Sequence, residues 1–365
     1  MKHVIFVTRE AGDMPAVRVR CQGFSRQLAR AGIRSQVLSF ADTWGAASGS
    51  RESLLRGRDK IRYNVQAFLR LWPADAVVVM QRVHYHSFGP LLAQALRRRP
   101  LILDLDDWEA REDCSYQWGW YPRSKAEWLM RTIARQSCCC VAASRFLYDY
   151  LKTWNPQVLY VPTGVDVQHF KPGATAPIAG PVTLSWAGTF HRPDNVENIG
   201  WLLKIFCKLR ARYPDIRLEI RGDGRYGDEV RKQIERCACP EVSLLAWIAA
   251  QEMPAYLERV HIGVMPLLQD SNFNRAKSPT RLFEYMAMAK PVVVSRRGEA
   301  AGILRHAEDG FLASTEIEFE GMLSDLIRDE QLRQKIGQQA RQSVCQRFSL
   351  DVVCRPFVDR VRQIV

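Results

Sequence analysis

A chain of 365 residues, 47% hydrophobic and 25% charged with a tenth of its residues aromatic, is globular and long enough for two domains, which excludes disordered, low-complexity and disulfide-stapled small proteins. The formal net charge is +13 and is concentrated early, with 24 basic against 15 acidic residues through Phe170 and 28 against 24 thereafter. Such a surplus favours an anionic partner: nucleic acid, lipid headgroups or a phosphorylated substrate. Short apolar runs at His3–Thr8, Ser35–Phe40, Ala76–Gln81, Leu101–Leu105, Cys138–Ala143 and Val158–Val161 predict strands, with a helix over Arg18–Ala31. Strands that alternate with helices in this way predict a parallel sheet covered on both faces. Pro172, Gly173, Pro177, Gly180 and Pro181 then crowd one short stretch and predict a linker. Strand patterns resume at Val182–Ala187, Arg217–Arg221, Val242–Ala246, His261–Pro266 and Pro291–Ser295. Helical patterns cover Val196–Arg212, Glu316–Arg328, Gln331–Val344 and Leu350 onward.

The expected fold class is α/β, two doubly wound Rossmann-like domains facing a cleft. Residues 1–170 form the first domain, 171–181 the linker, 182–348 the second domain and 349–365 a terminal helix. Ligands of such sheets bind beyond the carboxyl ends of the strands, which places the expected site in the cleft. No run approaches the roughly 18 apolar residues of a membrane span and no signal peptide is read, so the expected location is the cytoplasm, including the inner face of the membrane. The ten cysteines, Cys138, Cys139 and Cys140 among them, are scattered and read as reduced thiols; Cys237 and Cys239 have no second pair at zinc spacing. Within Leu54–Trp72, Leu54, Ile61, Val65, Phe68 and Trp72 share a helical face, with Arg56, Lys60, Arg62 and Arg70 largely off it. That face either covers the sheet edge of the first domain or lies on an anionic membrane.

The stretch Asn274–Ser295 is the richest in chemistry. Ser278 suits an N-cap and Pro279 a first helical position, so a helix start with free N–H groups is expected, and such a start binds anions. Lys277 and Arg281 add positive charge there, and Glu284 follows three residues after Arg281, where a carboxylate can accept from two ribose hydroxyls. The other reading of these residues is a surface Arg281–Glu284 pair. In the first domain, Asp104 and Asp106 have the DxD spacing that suits a divalent cation. Alternatively Asp106 or Asp107 orients an acceptor hydroxyl, or the acids cap a loop. Arg82, His84 and His86 follow the third strand; Gly12 allows close backbone approach in the first strand-to-helix turn, and Arg18 or Arg20 could meet an anionic acceptor.

The second half resembles the GT-B glycosyltransferases of family 4, retaining enzymes that use nucleotide-sugar donors. The resemblance is carried in order by VPTGVDVQHFKP (161–172), LSWAGTFHRPDNVENIGWL (184–202), LEIRGDG (218–224), VSLLAWIAAQEMPAYLERVHIGVMPL (242–267), SPTRLFEYMAMAKPVVVS (278–295) and EDGFL (308–312). It implies that the second domain binds the nucleoside diphosphate and the first the acceptor. It implies Gly188 near the donor phosphates, Gly222, Asp223 and Gly224 at the turn by the base, Ile248 on the base, Lys277 and Arg281 on the phosphates, and Glu284 as the second acid of a paired-glutamate motif. The first acid of that pair is replaced by Ala276, and His191 and Arg192 stand where an Arg and a Lys often follow the glycine loop. Asp106 and Asp107 stand where the family often has a His.

The expected function is metal-independent, retaining transfer of a sugar from a nucleoside-diphosphate donor to a hydroxyl of a polysaccharide or lipid-linked glycan, without a further cofactor. Asp106, Asp107, Lys277 and Arg281 are the expected catalytic residues. Gly188, Arg192, Gly222, Asp223, Gly224, Ile248, Lys277, Arg281 and Glu284 are expected on the donor; Gly12, Arg18, Arg82 and His84 on the acceptor. An anionic membrane is a further expected partner and nucleic acid is not. The rival readings are an epimerase or hydrolase recruiting Asp106, Asp107 and Glu299, and a nonenzymatic polyanion binder.

Overall fold

The computed structural model describes residues 3–43, 57–108, 123–173 and 180–365. Its first sheet contains β1 (His3–Thr8), β2 (Ser35–Ser39), β3 (Ala76–Gln81), β4 (Leu101–Leu105), β5 (Cys139–Ala142) and β6 (Val158–Tyr160), in the order β2-β1-β3-β4-β5-β6. All neighbours are parallel, and every residue of β3, β4 and β5 is buried, as helices on both faces require. The order reverses between β1 and β3, so their carboxyl ends emerge side by side. Thr8 Oγ1 donates to Gln81 Oε1 there at 2.5 Å.

The second sheet contains β7 (Val182–Thr189), β8 (Ile216–Asp223), β9 (Val242–Leu245), β10 (Ile262–Met265), β11 (Val292–Ser295) and β12 (Phe311–Ala313), parallel in the order β12-β11-β10-β7-β8-β9. The switch point lies between β7 and β10. Its core includes Trp186, Phe190, Phe206 and Phe319, with Trp186 and Phe190 stacked at 5.6 Å.

The chain divides into two compact units: Met1–Thr163 with Arg275–Ser278 and Leu350–Val365, and Gly164–Asn274 with Pro279–Ser349. The first break precedes the expected boundary at residue 170. Val165 N–H bonds Phe348 O, and Arg341 reaches the carbonyls of Val167 and Phe170, which ties this stretch to the second unit. Of the expected linker 171–181, residues 174–179 lie outside the described residues.

The terminal stretch forms two helices, Leu350–Val353 and Arg355–Ile364, with Pro356 in the first turn of the latter. Phe357 packs against Phe6 and Phe24 at 6.1 and 5.2 Å, and Arg360 donates to Cys138 O at 3.1 Å. The expected helix Arg18–Ala31 opens as a π-helix, Val17–Gly23, before the α-helix Phe24–Arg30.

Helix Gly57–Leu71 buries Tyr63, Ala67 and Leu71, not the predicted face: Ile61, Val65 and Trp72 are exposed and Phe68 is half-buried. Tyr63 is the anchor, edge-on to Phe40 at 4.1 Å, so the reading in which the other face covers the sheet does not hold. Leu54 and Arg56 lie outside the described residues. The described cysteines are all free, and among the described residues no helix is long and apolar enough to cross a membrane.

Candidate active site

Arg82 organises the carboxyl end of the first sheet. Its Nε and Nη2 donate to Asp106 at 2.6 and 3.0 Å, its Nη1 donates to Glu10 at 2.7 Å, and Asp107 stands 3.8 Å away. Burial opposes the guanidinium charge, but Asp106 and Glu10 outweigh it and raise Arg82 well above its ordinary pKa. Burial likewise works to raise Asp106, and Arg82 overrides it, leaving that carboxyl below its ordinary value. Asp107 is different: burial prevails over the pull of Arg82 and Lys277, and its carboxyl is raised. Its Oδ1 accepts from Trp108 N–H at 2.9 Å. Arg82, expected on the acceptor, is thus bound by Asp106 and Glu10 at the ends of its own sheet's strands. Asp106 is correspondingly engaged on both of its oxygens.

Arg20 is also reassigned. It is fully buried, bonds Asp104 through Nε at 2.8 and 3.0 Å and through Nη2 at 2.5 Å, and donates from Nη1 to Val161 O at 2.8 Å. The two acids of the DxD spacing are therefore each held by an arginine, and among the described residues no group of three or more metal-ligating side chains occurs. Gly12 N–H points at Asp42, 3.1 Å from Oδ2, and Arg18 is half-buried on the π-helix. His84 is half-buried against Tyr85 at 4.4 Å; His86 is fully buried, and burial together with Arg9 lowers its pKa to about 3.

In the second unit, the chain leaving β10 leads to a helix over Thr280–Ala287. Its N-cap is Pro279, without a side-chain capping bond, instead of the expected Ser278. Ser278 Oγ accepts from Thr163 N–H at 3.1 Å, which removes it from the cap. Arg281 and Glu284 form an ion pair, with Glu284 only 1% exposed, so this is no surface pair. The Arg281 guanidinium lies 5.4 Å from the Trp247 ring centroid, beside half-buried Ile248. Arg221 fixes that loop by donating to Ala246 O at 2.7 Å while lying over Tyr256 at 4.1 Å.

Gly188 pairs with Gly222 across β7 and β8. A Cβ on Gly222 would fall 2.3 Å from Gly188 O, so the close approach is between the strands themselves. Gly224 has φ +152° and accepts no side chain without strain; its N–H donates to Asp223 Oδ1 at 2.7 Å. Arg192 bonds Asp194 at 3.1 Å and lies 3.9 Å from the Phe273 ring centroid. Lys277 is exposed and belongs to the first unit, Ala276 is buried, and Glu299 is buried.

Residues 181–329 match the family described as Glycosyl transferases group 1. The solved structures similar to the chain include Anabaena HepE in complex with UDP-glucose, at a TM-score of 0.74 and 17% identity over 99% of both chains. Another is sucrose-phosphate synthase from Thermosynechococcus elongatus, at 0.75 and 14% identity over 100% of this chain and 99% of that one. The chain has the GT-B fold, and its second half matches the group 1 glycosyl transferase family. A curated relative, the putative teichuronic acid biosynthesis glycosyltransferase TuaH of Bacillus subtilis, is 49% identical over 43 residues, which are 12% of this chain and 11% of that protein.

Several residues that organise this GT-B chain were not singled out from the sequence: Glu10 beneath Arg82, Arg221 behind the Trp247 loop, and Phe273 under Arg192. Only Trp247 carried a usable signal, as an aromatic next to the expected base contact Ile248.

Proposed function

We propose that this chain transfers a sugar, with retention at the anomeric carbon as in family 4, from a nucleoside-diphosphate donor to a hydroxyl of a polysaccharide or lipid-linked glycan. The observation that carries the reading is the Arg281–Glu284 pair, its carboxylate buried, on helix Thr280–Ala287 between β10 and β11, β10 being one of the two strands at the switch point. In this reading Glu284, oriented by Arg281, accepts from the donor ribose hydroxyls, with Ile248 and Trp247 beside the base. Gly188, Gly222, Asp223 and Gly224 form the floor of the donor site. As the sugar–phosphate bond breaks, negative charge develops on the diphosphate, and Arg281, Arg192 and Lys277 stabilise it. On the first unit, Asp107 orients the attacking hydroxyl and takes its proton, with Gly12, Arg18 and His84 in the acceptor contact. Asp106 and Arg82 keep Asp107 in place. The diphosphate needs no metal when arginine and lysine supply the counter-charge, and no further cofactor enters.

HepE complexes with UDP and with UDP-glucose support uridine as the first base to test, and the TuaH match supports an anionic cell-envelope glycan as acceptor. The basic surplus through Phe170 suits an anionic acceptor or an anionic membrane. The test is calorimetric titration of the full chain with UDP, GDP and ADP. Binding of one of them, weakened in Glu284→Ala, upholds the donor site; no binding of any of the three removes it.

A further inference from the structure

We propose that the seam between helices Gly57–Leu71 and Phe88–Arg97 is a docking face for an anionic lipid bilayer. The proposal extends the lipid-linked acceptor reading above, on which its purpose rests, while the binding itself requires neither donor nor acceptor. Ile61, Val65 and Leu69 on the first helix and Phe88, Leu92 and Leu96 on the second are between 39% and 65% exposed. Each trio recurs every four residues, so each forms one stripe along its helix. The helices meet where Gly89 N–H donates to Asn64 Oδ1 at 2.7 Å; a Cβ on Gly89 would fall 2.1 Å from Asn64 O.

From that contact, Tyr63, Ala67 and Leu71 on one helix and Pro90, Ala93 and Gln94 on the other turn towards the core. The apolar stripes take the opposite flank of each helix and so adjoin across the seam. Lys60 lies over Tyr85 at 4.6 Å near one end, and Arg97 over Trp72 at 4.9 Å at the other, so the helices run side by side in the same direction. Six large apolar side chains on two neighbouring helices make a patch, not the scattered exposure usual on a protein surface.

Charge selects the occupant. Arg58, Lys60, Arg62 and Arg70 belong to the first helix and Arg97, Arg98 and Arg99 close the second, against a single acid, Asp59, in the two. A second copy of the chain bound about a two-fold axis would bring the same cationic rim against itself. A bilayer instead offers anionic headgroups to the rim and its acyl boundary to the stripes. Trp72 and Arg97 at the margin supply the amphipathic edge that sits at headgroup level.

The experiment is cosedimentation of the full chain with phosphatidylcholine vesicles, with and without phosphatidylglycerol, and no donor present. Wild type is expected to pellet with the anionic vesicles at low salt and to be released by high salt. Leu69→Ser with Leu92→Ser, and separately Arg58→Glu with Arg62→Glu, should each weaken binding on the order of tenfold. Thermal shift by UDP, unchanged in both variants, shows that they remain folded; loss of that shift in wild type sinks the donor reading and leaves this one standing. Wild type remaining in the supernatant, or variants that pellet as wild type does, overturns the proposal. So does a wild-type dimer in analytical ultracentrifugation that the serine variant dissociates, which makes the face an interface between copies.

Discussion

Arg82 grips Asp106 through two parallel hydrogen bonds, at 2.6 and 3.0 Å, from a backbone in the left-handed region at φ +61°. A residue other than glycine in that region carries strain, here offset by the paired carboxylates. The pair therefore works as a fixed bracket beside Asp107, and its removal exposes what it offsets.

Arg82→Ala leaves Asp106 without its buried counter-charge, while Glu10 keeps Arg9, and should cost about 3 to 5 kcal/mol. Urea denaturation followed by circular dichroism measures it. Arg82→Lys, which keeps the charge and loses the fork, should fall between the variant and wild type; equal stability of all three proteins would show that the bracket is unimportant.

Glu284→Ala and Arg281→Ala should each weaken nucleoside-diphosphate binding by about 1 to 3 kcal/mol, the worth of a charge-assisted hydrogen bond. Calorimetric affinities equal to wild type in both variants would take the pair out of the donor site.

Transferase activity should survive EDTA, because Asp104 is held by Arg20 and Asp106 by Arg82. Activity lost on chelation and restored by manganese would contradict this assignment of the two acids.

Below about pH 6.5 the protein should lose stability before its carboxylates titrate. His86 is neutral in the fold, with its pKa lowered to about 3, whereas the unfolded chain takes up a proton near the ordinary histidine value. Between those values the unfolded state binds more protons, so stability falls with falling pH, by up to about 1.4 kcal/mol per unit for this group. His84, also lowered well below its ordinary value by burial and by Arg9, adds in the same direction. Scanning calorimetry from about pH 7 to about pH 5 should show a shallower decline in His86→Asn than in wild type; parallel declines would assign the loss elsewhere.

Strands were the most legible part of the sequence. Ala76–Gln81 and Leu101–Leu105 coincide with β3 and β4, because short, mainly apolar runs of this kind bury themselves as strands covered on both faces. β12, Phe311–Ala313, was missed, whereas the equally short β6 was read because Val161 lengthens its apolar run. The site was legible in residue type more than in partnership. Arg281 and Glu284 stood three apart and their pairing could be read, but Ser278 was drawn from its cap by Thr163, and Arg20 was drawn inside by Asp104, across 115 and 84 residues of sequence. Neither separation leaves a trace in local pattern. The π-helix over Val17–Gly23, which carries Arg20 inward, is equally silent in apolar spacing.

The return of the last helix to the first sheet has a consequence for the order of folding. Phe357 packs against both Phe6 and Phe24, so β1 lacks part of its packing until a residue beyond the second unit has been made. The second unit, Gly164–Asn274 with Pro279–Ser349, contains its own sheet and finishes before that residue emerges. On a ribosome the later unit can therefore close while the earlier one still waits, reversing the usual amino-terminal-first sequence of domain folding. Nascent chains that have emerged as far as Ser349, with Leu350 onward still inside the ribosome, should accordingly expose the first unit to protease and chaperone while the second is already resistant.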